Sequence, residues 1–148
     1  MKINNFFSAA SIVIVLLIGG CAHTKNTVIN HESLVGYWYE VHQQDDFDGD
    51  VYSITNLKND GTFYVQFRVK KNGRTVEEQT ESGTWDLKEG NIHNTITTSI
   101  NDQQLPEALY IADSYVILNI SSNEMEYQHI STNTKFKANK VDQSFIIP

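Results

Sequence analysis

The sequence predicts an all-β protein, an antiparallel up-and-down meander of about eight strands closed into a small barrel. Segments rich in β-branched and aromatic residues recur at short, regular spacing, and turn-forming residues separate them. After residue 30, no segment carries a sustained apolar stripe with helical periodicity. An open meander would leave exposed edge strands, and closure into a barrel removes them.

The predicted strands and turns follow one another with little linking sequence. Asp60-Gly61 and Asn72-Gly73 are hairpin signals, because these residue types adopt the left-handed dihedrals of tight turns. Ser82-Gly83 predicts a bulge within the longest extended segment. Pro106 interrupts the strand pattern. The predicted strands cover residues 34–41, 51–54, 63–70, 75–87, 92–100, 110–120, 125–130 and 135–141.

Two strands show the period of two that places alternate side chains on opposite faces of a sheet. In the third strand, Phe63, Val65 and Phe67 share one face. In the fifth strand, three isoleucines alternate with polar residues. The two faces of that strand are Ile92, Ile96 and Ile100 on one side and His93, Thr95, Thr97 and Ser99 on the other. We expect the apolar faces to line the barrel interior.

Residues 1–20 have the pattern of an export signal. Lys2 supplies a positive charge, and residues 9–18 form an uncharged apolar run. Even counted from Phe6, this run ends at Ile18, which makes it shorter than the roughly 20 residues that a helix needs to cross a bilayer. We therefore predict a cleaved leader and not a permanent transmembrane helix.

The apolar run ends on Ile18-Gly19-Gly20-Cys21, which contains the only cysteine of the chain. This segment resembles the lipobox of bacterial lipoproteins, in which the cysteine is acylated, for example with palmitate, and begins the mature chain. The resemblance implies lipidation at Cys21 and a place in the bacterial cell envelope, on the outer membrane facing the periplasm if the source has one. A polar tether at 21–32 and a folded domain at 33–148 would follow.

The mature chain is expected to be acidic and free of disulfides. Loss of Lys2 with the leader leaves 10 basic residues of the original 11 against 18 acidic residues. Nucleic acids and anionic headgroups attract basic patches, so we expect no nucleic-acid partner and a membrane attachment that depends on lipid. With Cys21 acylated, no cysteine remains for a disulfide or a thiol nucleophile.

Four motifs together resemble bacterial lipocalin-like lipoproteins of the calycin group. Gly36-Tyr37-Trp38 is similar to the G-x-W of the first lipocalin strand, and Asp60-Gly61-Thr62-Phe63 is similar to a recurrent D-G-T-F hairpin. Glu81-Ser82-Gly83-Thr84-Trp85 resembles an E-S-G-T-W strand, and Tyr115-Val116-Ile117-Leu118 a Y-x-I-L strand. The resemblance implies a lipocalin-like barrel that encloses a small ligand.

The sequence departs from the lipocalin pattern at the barrel floor. In lipocalins, an arginine of the last strand packs over the first-strand tryptophan as a cation–π contact. Here Lys140-Val141 occupies the corresponding place. The resemblance therefore assigns Trp38 and Lys140 to the barrel floor, and the lysine lacks the planar stacking of a guanidinium.

No residue pattern assembles an active site, and we predict neither an enzyme nor a metal or cofactor. The histidines show no metal-ligand spacing, although His93 and His129 could face each other across a barrel. A serine-nucleophile elbow, an H-E-x-x-H motif and a phosphate-binding loop are all lacking. Three glutamates on the fourth strand are expected to face outward or the barrel rim: Glu77, Glu78 and Glu81.

Four aspartates crowd one loop: Asp45, Asp46, Asp48 and Asp50. An EF-hand frame around Gly49 puts Gln44 first and Thr55 last, and neither is the carboxylate that such a calcium loop needs. A solvated acidic loop and a weak calcium site of another kind remain open.

Two functions remain open from the sequence. The first is the binding of a small apolar or amphipathic molecule, such as a lipid or fatty acid, by enclosure within the barrel. The second is a structural or interaction lipoprotein of the envelope, with a filled core and a protein partner bound through loops 43–50 and 101–107. The pocket predicted for the first function is lined by Phe63, Val65, Phe67, Ile96 and Ile117.

Overall fold

The computed structural model describes residues 29–43 and 49–148. The predicted leader, Cys21 and most of the predicted tether lie outside these residues. Segment 44–48 also lies outside them, and with it three of the four loop aspartates. No helix among the described residues is long and apolar enough to span a membrane.

The described chain is almost entirely extended. A short helix, α1 (His31–Leu34), precedes the strands, and a single 3₁₀ turn lies at Glu107–Leu109. The strands are β1 (Gly36–Gln43), β2 (Asp50–Leu57), β3 (Thr62–Lys71), β4 (Arg74–Lys88), β5 (Ile92–Ile100), β6 (Gln103–Gln104), β7 (Ile111–Ile120), β8 (Glu124–His129) and β9 (Lys135–Val141).

Eight of these strands form a closed antiparallel barrel, so the predicted all-β meander is confirmed. The order around the barrel is β1-β2-β3-β4-β5-β7-β8-β9, and β9 returns to β1 through pairs such as Glu40–Ala138. The two-residue β6 pairs only with the end of β5. It is an extra strand in the segment where Pro106 interrupts the sequence pattern.

The predicted turn and bulge signals appear where the sequence places them. Asn72 and Gly73 have positive φ values of 51° and 72° and connect the paired residues Lys71 and Arg74. The register of β4 against β5 shifts between Ser82 and Gly83. A Cβ atom at Gly83 would lie 1.8 Å from the carbonyl oxygen of Ile96, so only glycine permits this approach of the two strands.

Helix α1 closes one end of the barrel, which we call the floor end. Leu34 is completely buried, and its carbonyl oxygen accepts a hydrogen bond of 2.7 Å from the Trp38 indole nitrogen. His31 stacks on Trp85 with a centroid separation of 4.2 Å. Ile29 also packs against the core, so contacts with the barrel begin before the domain boundary expected at residue 33. The opposite end, which carries the β1–β2 and β3–β4 connections, is called the loop end.

The hydrophobic core is concentrated toward the floor end. It combines side chains from α1 and from most strands of the barrel, because alternate residues of each strand point inward. The buried cluster consists of Leu34, Trp38, Leu57, Phe63, Val65, Trp85, Ile117, Met125 and Ala138.

Strand β5 turns its polar face inward, contrary to the expectation from its isoleucines. Trp85 is buried and pairs with Thr95, and paired residues of neighbouring strands share a face. His93 and Thr97 are therefore inward and buried, whereas Ile96 is 42% exposed on the outside. The assignment of Ile96 to the pocket was wrong, because the pairing with β4 turns the polar face of β5 inward and leaves Ile96 on the outer surface.

The C-terminal residues after β9 return along the outer face of β1–β3. The ring of Phe145 lies 4.8 Å from that of Tyr39. Arg68 donates from Nη1 to the carbonyl oxygen of Ile147 at 2.9 Å, and Lys70 donates to the carbonyl oxygen of Pro148. Ile147 is only 3% exposed, so this segment is packed onto the barrel wall.

Candidate functional site

The barrel encloses a cavity of about 220 Å³ between the core and the loop end. The part of the cavity nearer the floor end is mainly apolar, and the wall nearer the loop end carries carboxylates, hydroxyls and aromatic rings. The lining residues are Trp38, Glu40, Ser53, Thr55, Leu57, Phe63, Val65, Phe67, Glu81, His93, Thr95, Thr97, Asp113, Tyr115, Met125, Tyr127, Phe136 and Ala138.

Three of the five residues assigned to the pocket from the sequence line this cavity: Phe63, Val65 and Phe67. Ile117 is inward and 3% exposed, but it packs in the core cluster and does not belong to the lining. Trp38 forms part of the lining near the floor end. The Lys140 Nζ lies 5.1 Å from the centroid of the Trp38 ring, a cation–π distance.

Three carboxylates line the cavity. Tyr127 donates its hydroxyl to Glu40 at 2.5 Å. Glu81 accepts from the Gln79 amide at 2.7 Å and from the Thr97 hydroxyl at 3.2 Å. The third carboxylate, Asp113, lies 3.1 Å from Nε2 of His129. No lysine or arginine is among the lining residues that the structure describes.

The three negative charges converge on Tyr115. Burial raises the pKa of the Tyr115 hydroxyl well above its ordinary value, and the charges of Asp113, Glu40 and Glu81 raise it further. Burial likewise raises the pKa of Glu40, and the hydrogen bond from Tyr127 partly offsets this effect. The three carboxylates therefore disfavour a further negative charge at Tyr115.

Three aromatic rings form a cluster beside these carboxylates. Tyr115 meets Tyr127 edge-on at 5.5 Å, and Tyr127 stacks on Phe136 at 5.1 Å. Tyr115 and Phe136 approach at 6.3 Å with an interplanar angle of 76°. We call this group the aromatic cluster, and all three of its residues line the cavity.

His93 is a buried, neutral residue of the cavity wall. It is 6% exposed and lies between the rings of Trp85 and Tyr115, at 5.5 and 6.0 Å. Burial lowers the pKa of His93 to about 4, although the backbone oxygen and charge of Asp86 act to raise it. Its Nδ1 has no hydrogen-bond partner. We assign the ring proton to Nε2, facing the Asp86 oxygen, which leaves Nδ1 as an unused acceptor.

The remaining candidates from the sequence do not join this site as ligands or catalysts. His93 and His129 flank Tyr115 on neighbouring strands and do not face each other across the barrel. Glu78 pairs with Arg68 at 2.7 Å. Among the described residues, no group of three or more His, Cys, Asp or Glu residues is arranged to hold a metal ion.

Several polar residues of the cavity were not predicted from the sequence, above all Glu40, Asp113 and Tyr115. A signal for Glu40 was present, because it lies two residues after Trp38 and so shares the inward face of β1. Asp113 and Tyr115 share a face in the same way on β7. Glu40 and Asp113 were not assigned to the interior because charged residues are expected on the surface.

These features define a small, closed, antiparallel meander barrel with an internal cavity. The family model of the lipocalin-like domain matches residues 34–127, which is more than half of the chain. The chain therefore belongs to the lipocalin-like domain family, and the lipocalin-like part of the resemblance seen in the motifs is confirmed. Such a barrel is consistent with ligand binding in general. No curated protein matches the chain.

Proposed function

We propose that this chain is an envelope lipoprotein, anchored through acylated Cys21, whose barrel binds a small amphipathic molecule without changing its bonds. The cavity is the observation that carries the proposal. It combines an apolar floor around Trp38 and Phe63 with a polar wall, which is the arrangement of a site that orients an amphipathic guest.

The size of the cavity limits the guest. The cavity volume is about 220 Å³. It lies below the roughly 300–1,000 Å³ of sites for drug-sized ligands. A guest that lies wholly inside this cavity is therefore a compact molecule.

Native mass spectrometry tests ligand binding directly. The protein is the whole mature chain, residues 21–148, with Cys21→Ser so that it can be purified without detergent. We expect a reproducible added mass that organic extraction removes. A bare polypeptide mass that stays unchanged after exposure to a panel of small amphiphiles would refute ligand binding.

Metabolic labelling with an alkyne-tagged fatty acid tests the anchor separately. Labelling of the full chain in a bacterial host, and its loss in Cys21→Ser, is the expected result. Equal labelling of the two proteins, or labelling of neither, would refute lipidation at this cysteine.

A partner-binding role has one observation in its favour. Leu109, Tyr110 and Ile111 lie next to one another at the loop end and are 61%, 39% and 43% exposed. A bare mass in the first experiment, with lipidation retained in the second, would favour this alternative of an envelope interaction protein.

A further inference from the structure

We infer that the guest of this cavity is a small organic cation, a protonated amine carried on an apolar body, and not a carboxylate such as a fatty acid. This inference rests on the proposed function of the cavity as a ligand site. It names the chemical class of that ligand.

The charge of the cavity wall is one-sided. Glu40 and Glu81 receive hydrogen bonds only from neutral groups, and Asp113 contacts an imidazole. Because the described lining includes no lysine or arginine, neither of these cations would pair with the carboxylate of an anionic guest there. These carboxylates would attract a cationic guest and repel an anionic one, and both effects are stronger in the partly buried cavity than in bulk water.

His93 provides an independent observation of the same kind. It is 94% buried in the cavity wall, and its Nδ1 has no hydrogen-bond partner. Buried polar atoms without a partner are rare in folded proteins. A neutral imidazole with its proton on Nε2 accepts a hydrogen bond at Nδ1, so the group that pairs with it is a donor. The N–H of an amine and the O–H of an alcohol or of water can supply this hydrogen bond, and a carboxylate anion cannot.

The aromatic cluster favours the same ligand. The rings of Tyr115, Tyr127 and Phe136 lie within 5.1–6.3 Å of one another and line the cavity beside the carboxylates. Aromatic faces attract ammonium groups, and this attraction grows where water is excluded. The apolar floor below would accommodate the hydrocarbon part of the guest.

A bare metal ion fits these residues less well than an organic cation. No group of three or more potential metal ligands is close enough among the described residues to hold an ion. The three acidic side chains come from different strands and are only part of a lining that is otherwise apolar, aromatic or neutral polar. An organic cation can place its ammonium group against one of these carboxylates and fill the apolar space with its hydrocarbon body, which a bare metal ion cannot do.

Calorimetry with three probes of nearly the same shape tests the inference on the mature chain with Cys21→Ser. The probes are phenethylamine, phenethyl alcohol and hydrocinnamate, which are cationic, neutral and anionic at pH 7. We expect phenethylamine to bind about tenfold or more tightly than the alcohol, and hydrocinnamate to bind most weakly.

The outcomes separate this inference from the proposed function. Equal or tighter binding of the alcohol or the anion would overturn the inference and leave a ligand-binding barrel standing. Binding of none of the probes would overturn the inference, while the mass-spectrometry result judges ligand binding independently. Saturable binding of calcium ion alone that competes with phenethylamine would also overturn it.

Two isosteric variants locate the effect. Glu81→Gln keeps an oxygen that accepts from Gln79, and we expect it to weaken phenethylamine binding about tenfold with little change for the alcohol. Asp113→Asn should act in the same direction and serves if the first variant unfolds. Glu89→Gln, on the exposed β4–β5 turn, makes the same charge change as a control. Wild-type amine affinity in folded Glu81→Gln and Asp113→Asn would contradict the inference.

Discussion

Replacing His93 with glutamine should remove about 3 kcal/mol of acid sensitivity from this barrel. In the folded chain the pKa of His93 is lowered from 6.5 to about 4 by burial. The unfolded chain therefore binds a proton between these values that the folded chain does not bind. The contribution of neutral His93 to the free energy of unfolding is therefore fully present above pH 6.5 and is lost as the pH falls toward 4. At about 1.4 kcal/mol per pKa unit, the loss approaches 3 kcal/mol.

Urea unfolding of the wild type and of His93→Gln, followed by fluorescence across pH 4–8, measures this effect. The difference in unfolding free energy between the two proteins should be constant above pH 7. Below pH 6.5 it should shift progressively in favour of the variant, because only the wild type must exclude the proton. The carboxylates titrate in both proteins, so their contribution cancels in the difference. Parallel pH profiles throughout would refute the assignment of a buried, neutral His93.

Three further predictions follow from the packing of the barrel. Gly83→Ala should lower the free energy of unfolding by about 2–3 kcal/mol in urea titration, because its Cβ would overlap the Ile96 carbonyl oxygen; wild-type stability would contradict this close approach. Trp38→Phe should lower the free energy of unfolding by about 2–4 kcal/mol in the same assay, because the buried Leu34 carbonyl oxygen loses its hydrogen-bond donor. A loss no larger than that of Tyr64→Phe, a change at an exposed tyrosine, would contradict this role of Trp38. Phe67→Ala should weaken probe binding in calorimetry, because Phe67 lines the cavity. It should lower the free energy of unfolding by less than the roughly 3–5 kcal/mol expected in a filled core. Unchanged probe binding would show that Phe67 does not belong to the site.

The fold could be predicted because it depends on local signals. The Asn72-Gly73 turn, the bulge at Ser82-Gly83 and the alternation along β3 each act within a few residues, and the structure has all three. Closure of the meander was expected because an open meander leaves exposed edge strands. These features need no knowledge of which residues face one another across the barrel.

The site could be predicted only in part, because its wall depends on pairing between strands. Nothing within β5 tells which of its two faces turns inward, and the pairing of Trp85 with Thr95 decides it. Glu40 lies on β1 and Asp113 on β7, and β9 and β8 separate these two strands in the barrel. Both carboxylates act on Tyr115 only because the barrel is closed. The expectation that apolar residues face the interior instead assigned Ile96 to the pocket.

The position of α1 determines how the barrel would be presented to its surroundings. The chain enters the barrel at the floor end, where Leu34 and Trp38 are sealed from solvent. A tether attached before Ile29 would therefore hold the barrel by its closed end. With such a tether fixed to a bilayer, guests would approach the loop end from the aqueous side and would be collected from water and not from the lipid phase.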